Sequence, residues 1–164
     1  MATVDNNLSE YDKERIPNGA DFKIGIVVSE WNDDITLNLL KGAREALEEN
    51  GVKPENILVK YIPGTFELPL ACQFMLEADD AIDGVVAIGC VIQGETKHFD
   101  FVCQGATQGI MAVQMEYNTP ISFCVLTDNN RQQSIDRSGG KHGNKGIECA
   151  VACLKMIAIQ EDFS

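Results

Sequence analysis

Residues 85–100 read Val-Val-Ala-Ile-Gly-Cys-Val-Ile-Gln-Gly-Glu-Thr-Lys-His-Phe-Asp, and this stretch decides the fold of the chain. An apolar run over 85–92 stops at Gln93 and Gly94, and His98, one of two histidines, follows closely. In open parallel sheets, ligands bind outside the carboxyl ends of the strands. Backbone N–H groups at the start of the next helix favour an anion there. The stretch predicts either a small anionic ligand beside a proton-transferring histidine, or a surface histidine after an ordinary turn.

The sequence on either side of this stretch repeats the pattern of an apolar strand followed by an amphipathic helix. Strands are predicted over 22–28, 56–62, 83–91 and 120–126, and helices over 35–49, 66–78, 99–117 and 144–159, with a brief helical turn over 134–137. Strands that are apolar on both faces and alternate with helices indicate a parallel sheet covered on both sides. We therefore expect one three-layer α/β domain over residues 22–164, preceded by a polar N-terminal arm over residues 1–21.

The overall composition limits the possible partners and compartment. The formal net charge of −12 argues against a nucleic-acid partner. No apolar run approaches the ~20 residues that a membrane span needs, and the polar, acidic N-terminus does not resemble a secretory signal. The six cysteines lie mostly in apolar runs without a metal-ligand spacing, so buried free thiols are expected and no metal site. A soluble cytoplasmic protein follows from these features.

The predicted ends of strands 1, 2 and 4 also carry unusual residues. Trp31, beside Asn32, either stacks on a flat ligand or packs as a cap on the first helix. Thr65 and Glu67, just after Gly64, either meet a polyhydroxylated ligand or cap the second helix. Phe123, inside strand 4, is by default a core residue, and a pocket-facing role is the less common alternative.

A basic segment follows strand 4. Residues 131–145 carry four Arg or Lys residues, including Arg137 and Lys145, against the single acid Asp136. In an acidic protein such a segment, with glycines that permit close backbone approach, faces either an anion or simply the solvent.

Four motifs in this order resemble the 6,7-dimethyl-8-ribityllumazine synthase family of riboflavin biosynthesis. The matching segments are Trp-Asn-Asp at 31–33, Pro-Gly-Thr-Phe-Glu-Leu-Pro at 63–69, Gly-Cys-Val-Ile-Gln-Gly-Glu-Thr-Lys-His at 89–98, and residues 137–146. The resemblance runs from about residue 22 to residue 159. It implies a flavodoxin-like α/β sandwich with a four-stranded parallel core, which agrees with the pattern above.

The resemblance also implies two small-molecule substrates, 5-amino-6-(D-ribitylamino)uracil and 3,4-dihydroxy-2-butanone 4-phosphate. Trp31 would stack on the pyrimidine, and His98 would transfer protons. The other implied contacts are Asn32, Gly64, Thr65, Phe66 and Glu67 with the ribityl chain; Cys90, Val91 and Ile92 with the uracil edge; Phe123 from the neighbouring subunit; and Glu95, Thr96, Arg137 and Lys145 with the phosphate. Glu95 would offer its backbone N–H, because its carboxylate would repel the phosphate. No cofactor is implied, because the two substrates form their own imine.

The resemblance further implies a homo-oligomer. Family members form single pentamers, stacked pairs of pentamers or shells of twelve pentamers. The short link between Arg137 and residues 144–146 favours the 60-subunit shell, with riboflavin synthase as a further candidate partner. Two alternatives of other classes are a flavodoxin-like or receiver-like binding module and a non-catalytic shell protein of the same fold. The acidic loop after strand 1 disfavours flavodoxin, and the absence of an acceptor aspartate after strand 3 disfavours a receiver.

Overall fold

Four parallel strands form the centre of the fold in the computed structural model, which describes residues 7–163. The strands are β1 (Ile24–Ser29), β2 (Ile57–Ile62), β3 (Gly84–Ile92) and β4 (Ile121–Asp128), in the spatial order β2-β1-β3-β4. The helices are α1 (Asp33–Glu49), α2 (Leu68–Ala78), α3 (His98–Tyr117), α4 (Arg131–Arg137) and α5 (Lys145–Asp162). A short hairpin, β5 (Ser138–Gly140) and β6 (Gly143–Asn144), joins α4 to α5.

The sheet has an apolar core on each face, because side chains of a strand point alternately to its two sides. Ile24, Ile26 and Val28 of β1 pack in the core that contains residues of α1 and α5. Val27 of β1 and Val85 of β3 pack in the other core, beneath α2 and α3. The predicted three-layer α/β fold with a four-stranded parallel sheet is therefore confirmed.

Two glycines on α3 permit its close approach to the segment around α2. A Cβ atom at Gly105 would lie 2.6 Å from the Phe66 ring, and one at Gly109 would lie 2.6 Å from Cγ of Pro69. Phe66 belongs to a 3-10 turn (Thr65–Glu67), and α2 begins only at Leu68. The prediction that the second helix starts at residue 66 was therefore early by two residues, because this tight turn reads in sequence as the first turn of the helix.

The predicted element boundaries also differ from the structure at the ends of β3 and β4 and in the segment that follows β4. Both strands run beyond their predicted ends, to Ile92 and Asp128. The predicted helical turn over 134–137 is the end of α4, which begins at Arg131 because the Asn130 side chain accepts a hydrogen bond from the Gln133 N–H at 3.1 Å. The sequence pattern gave no sign of the β5–β6 hairpin.

The described part of the N-terminal arm, residues 7–21, lies against the body of the same chain. The N–H of Leu8 donates to the carbonyl of His142 at 2.8 Å, and the N–H of Asn144 donates to Ser9 Oγ at 2.9 Å. These bonds hold the arm against the β5–β6 hairpin. Within residues 7–163, no helix is both long enough and apolar enough to cross a bilayer.

Candidate active site

A cavity of about 720 Å³ opens at the carboxyl ends of β1 and β3, between the Thr65–Glu67 turn and the start of α3. It is lined by Trp31, Asn32, Gly64, Thr65, Phe66, Glu67, Cys90, Val91, Ile92, Gly94, Thr96, His98, Phe99, Phe101 and Val102. It therefore brings together all the predicted site residues except Glu95, Phe123, Arg137 and Lys145.

The backbone at Asn32 directs Trp31 towards this cavity. Asn32 has a left-handed backbone conformation (φ 61°), and its carbonyl accepts the N–H groups of Ile35 and Thr36 at the start of α1. Its side-chain amide donates to the carbonyl of Cys90 at 3.0 Å, which fixes the β1 loop against the end of β3. The Trp31 indole is 71% exposed, so its face is available to a flat ligand.

Thr65 lies at the base of the cavity with its hydroxyl buried. Its Oγ1 has no hydrogen-bond partner within residues 7–163, and neither the 3-10 turn nor α2 has a side-chain capping bond. Gly89 of β3 makes room for this hydroxyl, because a Cβ there would lie 2.6 Å from Oγ1. The capping alternative for Thr65 and Glu67 is therefore not what the structure contains.

The turn between β3 and α3 carries the predicted anion-binding and proton-transfer groups. The Gln93 N–H donates to the carbonyl of Asp128 at 2.9 Å, which ties the turn to the end of β4. Thr96 Oγ1 accepts the N–H of His98 at 3.3 Å, at the first residue of α3. The His98 side chain is exposed, so a ligand in the cavity can reach the imidazole.

The sequence analysis missed several lining residues at the start of α3. Phe101 and Val102 lie three and four residues after His98, so they share its helix face. That spacing was the available signal, and it was read only as the apolar stripe of a packed helix. Phe101 is in fact 68% exposed.

Cys90 contributes its main chain to the cavity while its thiol is buried. Burial raises the pKa of the Cys90 thiol, and a hydrogen bond with Ser134 offsets this only in part. The thiol is therefore protonated near neutral pH and a poor nucleophile. No group of three or more His, Cys, Asp or Glu side chains in the described part of the chain could hold a metal ion.

Four predicted site residues do not line the cavity of their own chain. Phe123 of β4 lines a separate groove of about 530 Å³ with Cys103 and Thr107 of α3. Arg137 folds back on α4, where its Nη1 donates to the carbonyl of Gln133 at 3.0 Å. Lys145 begins α5 and is described below, and Glu95 lies in the exposed β3–α3 turn without lining the cavity.

Lys145 keeps its positive charge despite its burial. Its ammonium group is 2.6 Å from Oε1 of Glu148, and its side chain is only 16% exposed. Burial by itself lowers the pKa of Lys145, but the hydrogen bond to Glu148 and the surrounding charges outweigh it and raise the pKa above its usual value.

Comparison with known proteins connects this fold and cavity to one family. A model of the 6,7-dimethyl-8-ribityllumazine synthase family matches residues 21–161. The 6,7-dimethyl-8-ribityllumazine synthase of Christiangramia forsetii is 57% identical over 162 residues, which are 99% of this chain and 96% of that protein. The enzyme of the same name from Flavobacterium johnsoniae is 57% identical over 100% of this chain and 86% of its own length. That of Porphyromonas gingivalis is 50% identical, over 98% of this chain and 99% of its own length.

The fold and the cavity define the class: a three-layer α/β protein with a cavity at the carboxyl ends of its parallel strands. The chain belongs to the 6,7-dimethyl-8-ribityllumazine synthase family. It is therefore a transferase of riboflavin biosynthesis, and the reaction predicted from its sequence is confirmed. The comparisons give no support to the alternative of a binding module or a non-catalytic shell protein.

Proposed function

We propose that the cavity at the ends of β1 and β3 is where this chain condenses 5-amino-6-(D-ribitylamino)uracil with 3,4-dihydroxy-2-butanone 4-phosphate. The products are 6,7-dimethyl-8-ribityllumazine, phosphate and water. The observation that carries the proposal is that one cavity holds an exposed indole, a strand edge, a buried hydroxyl and an accessible imidazole. These groups match a flat heterocycle, its polyol chain and a proton transfer.

The pyrimidine of the first substrate lies against Trp31. An exposed indole that lines a cavity offers a flat apolar face for stacking. The backbone groups at Cys90, Val91 and Ile92 read the uracil edge, since β3 ends at the cavity.

The ribityl chain lies along the Gly64–Glu67 turn. The Thr65 hydroxyl is buried with its hydrogen-bonding capacity unused, and a hydroxyl of the ligand satisfies it after a small side-chain rotation. Glu67 and the Oδ1 atom of Asn32 supply further acceptors, and Phe66 closes the side of the cavity.

The phosphate of the second substrate lies at the turn between β3 and α3. Thr96 and the backbone N–H groups of this turn, including that of Glu95, bind it at the start of a long helix. Arg137 supplies a guanidinium fork, and Lys145 supplies a buried positive charge.

His98 moves the protons of the reaction. The 5-amino group of the uracil attacks the ketone to give an imine with loss of water, and phosphate leaves by elimination. The 6-amino nitrogen then closes the second ring on the remaining carbonyl, with loss of a second water. Each step needs a proton added or removed, and an imidazole at the cavity wall serves both purposes. Holding the two substrates in register supplies the larger part of the acceleration.

The site is completed by a neighbouring subunit of a pentameric ring. Phe123, Arg137 and Lys145 do not line the cavity of their own chain, so they serve the cavity of the next subunit. Large apolar side chains on the Thr65–Glu67 turn and on the outer faces of α2 and α3 support such a ring, because patches of this kind mark interfaces. They are Phe66, Leu70, Phe74, Phe101, Met111 and Met115.

Twelve such rings close into a 60-subunit shell. The β5–β6 hairpin between Arg137 and Lys145 is short, which leaves room for packing between rings. Riboflavin synthase, which uses the product, is the partner proposed for the interior. We place the enzyme in the cytoplasm, since its free, buried cysteines fit a reducing compartment.

The fluorescence of Trp31 tests the proposed site directly. Trp31 is the only tryptophan in the chain, so intrinsic emission excited at the indole band reports on the cavity alone. Titration with the uracil substrate should quench this emission in a saturable way, whereas the butanone phosphate alone should have little effect because it has no ring. An unchanged emission, in a preparation that forms lumazine and phosphate from both substrates, would place the reaction elsewhere.

A further inference from the structure

A chain of buried hydrogen bonds runs from the cavity wall to α4. The Cys90 thiol donates to Oγ of Ser134 at 3.5 Å, and the Ser134 hydroxyl donates to Oδ2 of Asp128 at 2.7 Å. Cys90 is 1% exposed, Ser134 is fully buried, and Asp128 is 7% exposed. A carboxyl group this far from water is stable only when hydrogen-bonded, so Ser134 is held firmly against it.

The Ser134–Asp128 hydrogen bond helps to fix the position of α4. Helix α4 has only seven residues, and so short a helix gains most of its stability from tertiary contacts. Arg137 is tied to the same turn, since its Nη1 donates to the carbonyl of Gln133, the residue directly before Ser134. A shift of this turn therefore carries the guanidinium with it.

Asp128 also holds the turn that leads to the other proposed phosphate ligands. Its main-chain carbonyl accepts the N–H of Gln93 at 2.9 Å, at the beginning of the turn that contains Thr96. One buried residue thus fixes two parts of the chain: α4, whose Arg137 serves the cavity of the next subunit in the proposed ring, and the turn after β3, which serves the cavity of its own chain.

We propose that Ser134, held by Asp128, is a positioning residue for the phosphate-bearing substrate and acts through Arg137. Ser134 is buried and does not line the cavity, so it touches neither substrate. It fixes the α4 turn from which the guanidinium reaches the phosphate. This inference rests on the proposed role of Arg137 in binding the phosphate.

A double-mutant cycle with steady-state kinetics for each substrate tests the proposal in the assembled enzyme. The variants are Ser134→Ala, Arg137→Ala and the two combined. Thr119→Ala is the matched control, because it also removes a hydroxyl that donates a hydrogen bond, here to the Tyr117 carbonyl at 3.1 Å. Thr119 precedes β4 and so lies at the opposite end of the sheet from Ser134.

Ser134→Ala should raise KM for the butanone phosphate about 3- to 10-fold, the scale expected for loss of its hydrogen bond to Asp128, and leave kcat and the uracil KM within about twofold. The double variant should match Arg137→Ala alone, because Ser134 acts through that residue. Equal changes in both KM values, additive effects in the double variant, or a Ser134→Ala enzyme identical to the Thr119→Ala control would overturn the inference. A normal phosphate KM in Arg137→Ala would instead overturn the role of Arg137 itself.

If Ser134→Ala fails to assemble, Asp128→Asn gives the same comparison, since it removes the carboxylate charge and keeps the side-chain shape. It should likewise raise only the phosphate KM and be non-additive with Arg137→Ala. A uniform loss of kcat in Asp128→Asn, with both KM values unchanged, would contradict a positioning role.

Discussion

His98 is the first residue of α3 and lines the cavity. Its replacement shows whether this residue contributes to kcat, through proton transfer, or to KM, through binding. His98→Ala should lower kcat about 10-fold or more with little change in either KM, since the substrates are still held in register. The matched control is His142→Ala, which removes the other histidine, in the turn between β5 and β6. Turnover assays that find the same kcat for His98→Ala as for His142→Ala would remove His98 from the mechanism.

Arg137 is expected to bind one substrate only. Arg137→Ala should raise KM for the butanone phosphate at least 10-fold and leave the uracil KM nearly unchanged, and Arg137→Lys should recover part of the loss, because an ammonium cannot form the bidentate contact. Arg131→Ala is the control on the same helix, where Arg131 pairs with Asp34 at 2.5 Å. A parallel rise in both KM values for Arg137→Ala would point to a structural role.

Asn32 combines a strained backbone with a side-chain hydrogen bond, and two substitutions separate them. Asn32→Gly loses the hydrogen bond to the Cys90 carbonyl but tolerates the left-handed backbone conformation. Asn32→Ala loses the same bond and is also strained at φ of 61°. Asn32→Ala should therefore be about 1 kcal/mol less stable than Asn32→Gly in urea unfolding. Equal stability of the two variants would mean that the backbone at residue 32 relaxes freely.

At the scale of elements, the contact between α3 and the start of α2 depends on Gly109. Gly109→Ala places a methyl group against the rigid Pro69 ring, so overpacking should exceed the gain in helix propensity and cost about 1 kcal/mol in urea unfolding. Gly105→Ala is the matched substitution one turn earlier, where the Phe66 ring is half exposed and can move. It should be close to neutral for stability, and a larger cost at Gly105 than at Gly109 would contradict this account of the packing.

Hydrophobic periodicity predicted the four strands and the long helices, and missed the short elements that depend on individual caps and tertiary contacts. The four strands and the long helices follow from apolar runs and stripes, whereas α4 depends on the Asn130 cap and on the buried Ser134–Asp128 bond. The β5–β6 hairpin depends on Gly139 and Gly143, which have positive φ. It also depends on contacts with the N-terminal arm, such as that between Ser9 and Asn144, which are 135 residues apart in sequence. No periodicity reveals such contacts.

The candidate site was predictable where it lies in turns and not where it lies in helices or across subunits. Thr65, Thr96 and His98 stand out because they follow apolar strands, and the structure places them around one cavity. Phe101 and Val102 were hidden in a helical stripe. The resemblance implies that Arg137 and Thr96 both bind the phosphate, but nothing in the sequence indicates whether they meet within one chain.

At the scale of the whole molecule, we expect an assembly that covers the groove beside Phe123. Light scattering should give a mass of at least five times the 18.0-kDa subunit. Cys103, which is half-buried on that groove in the single chain, should then react with iodoacetamide far more slowly in the assembly than after dissociation. A particle of one subunit, or rapid labelling of Cys103 in the intact assembly, would contradict the ring.

Complementation between His98→Ala and Arg137→Ala tests whether each active site is shared between neighbouring subunits. Each variant alone has a defect at every site. The assay uses a concentration of the butanone phosphate well below its KM for Arg137→Ala, so that the loss of Arg137 lowers the measured rate. In mixed rings formed by co-expression, a cavity from an Arg137→Ala subunit meets the intact Arg137 of a His98→Ala neighbour, so about one site in four should recover full activity. A mixed preparation no more active than the mean of the two parent variants would contradict the shared site.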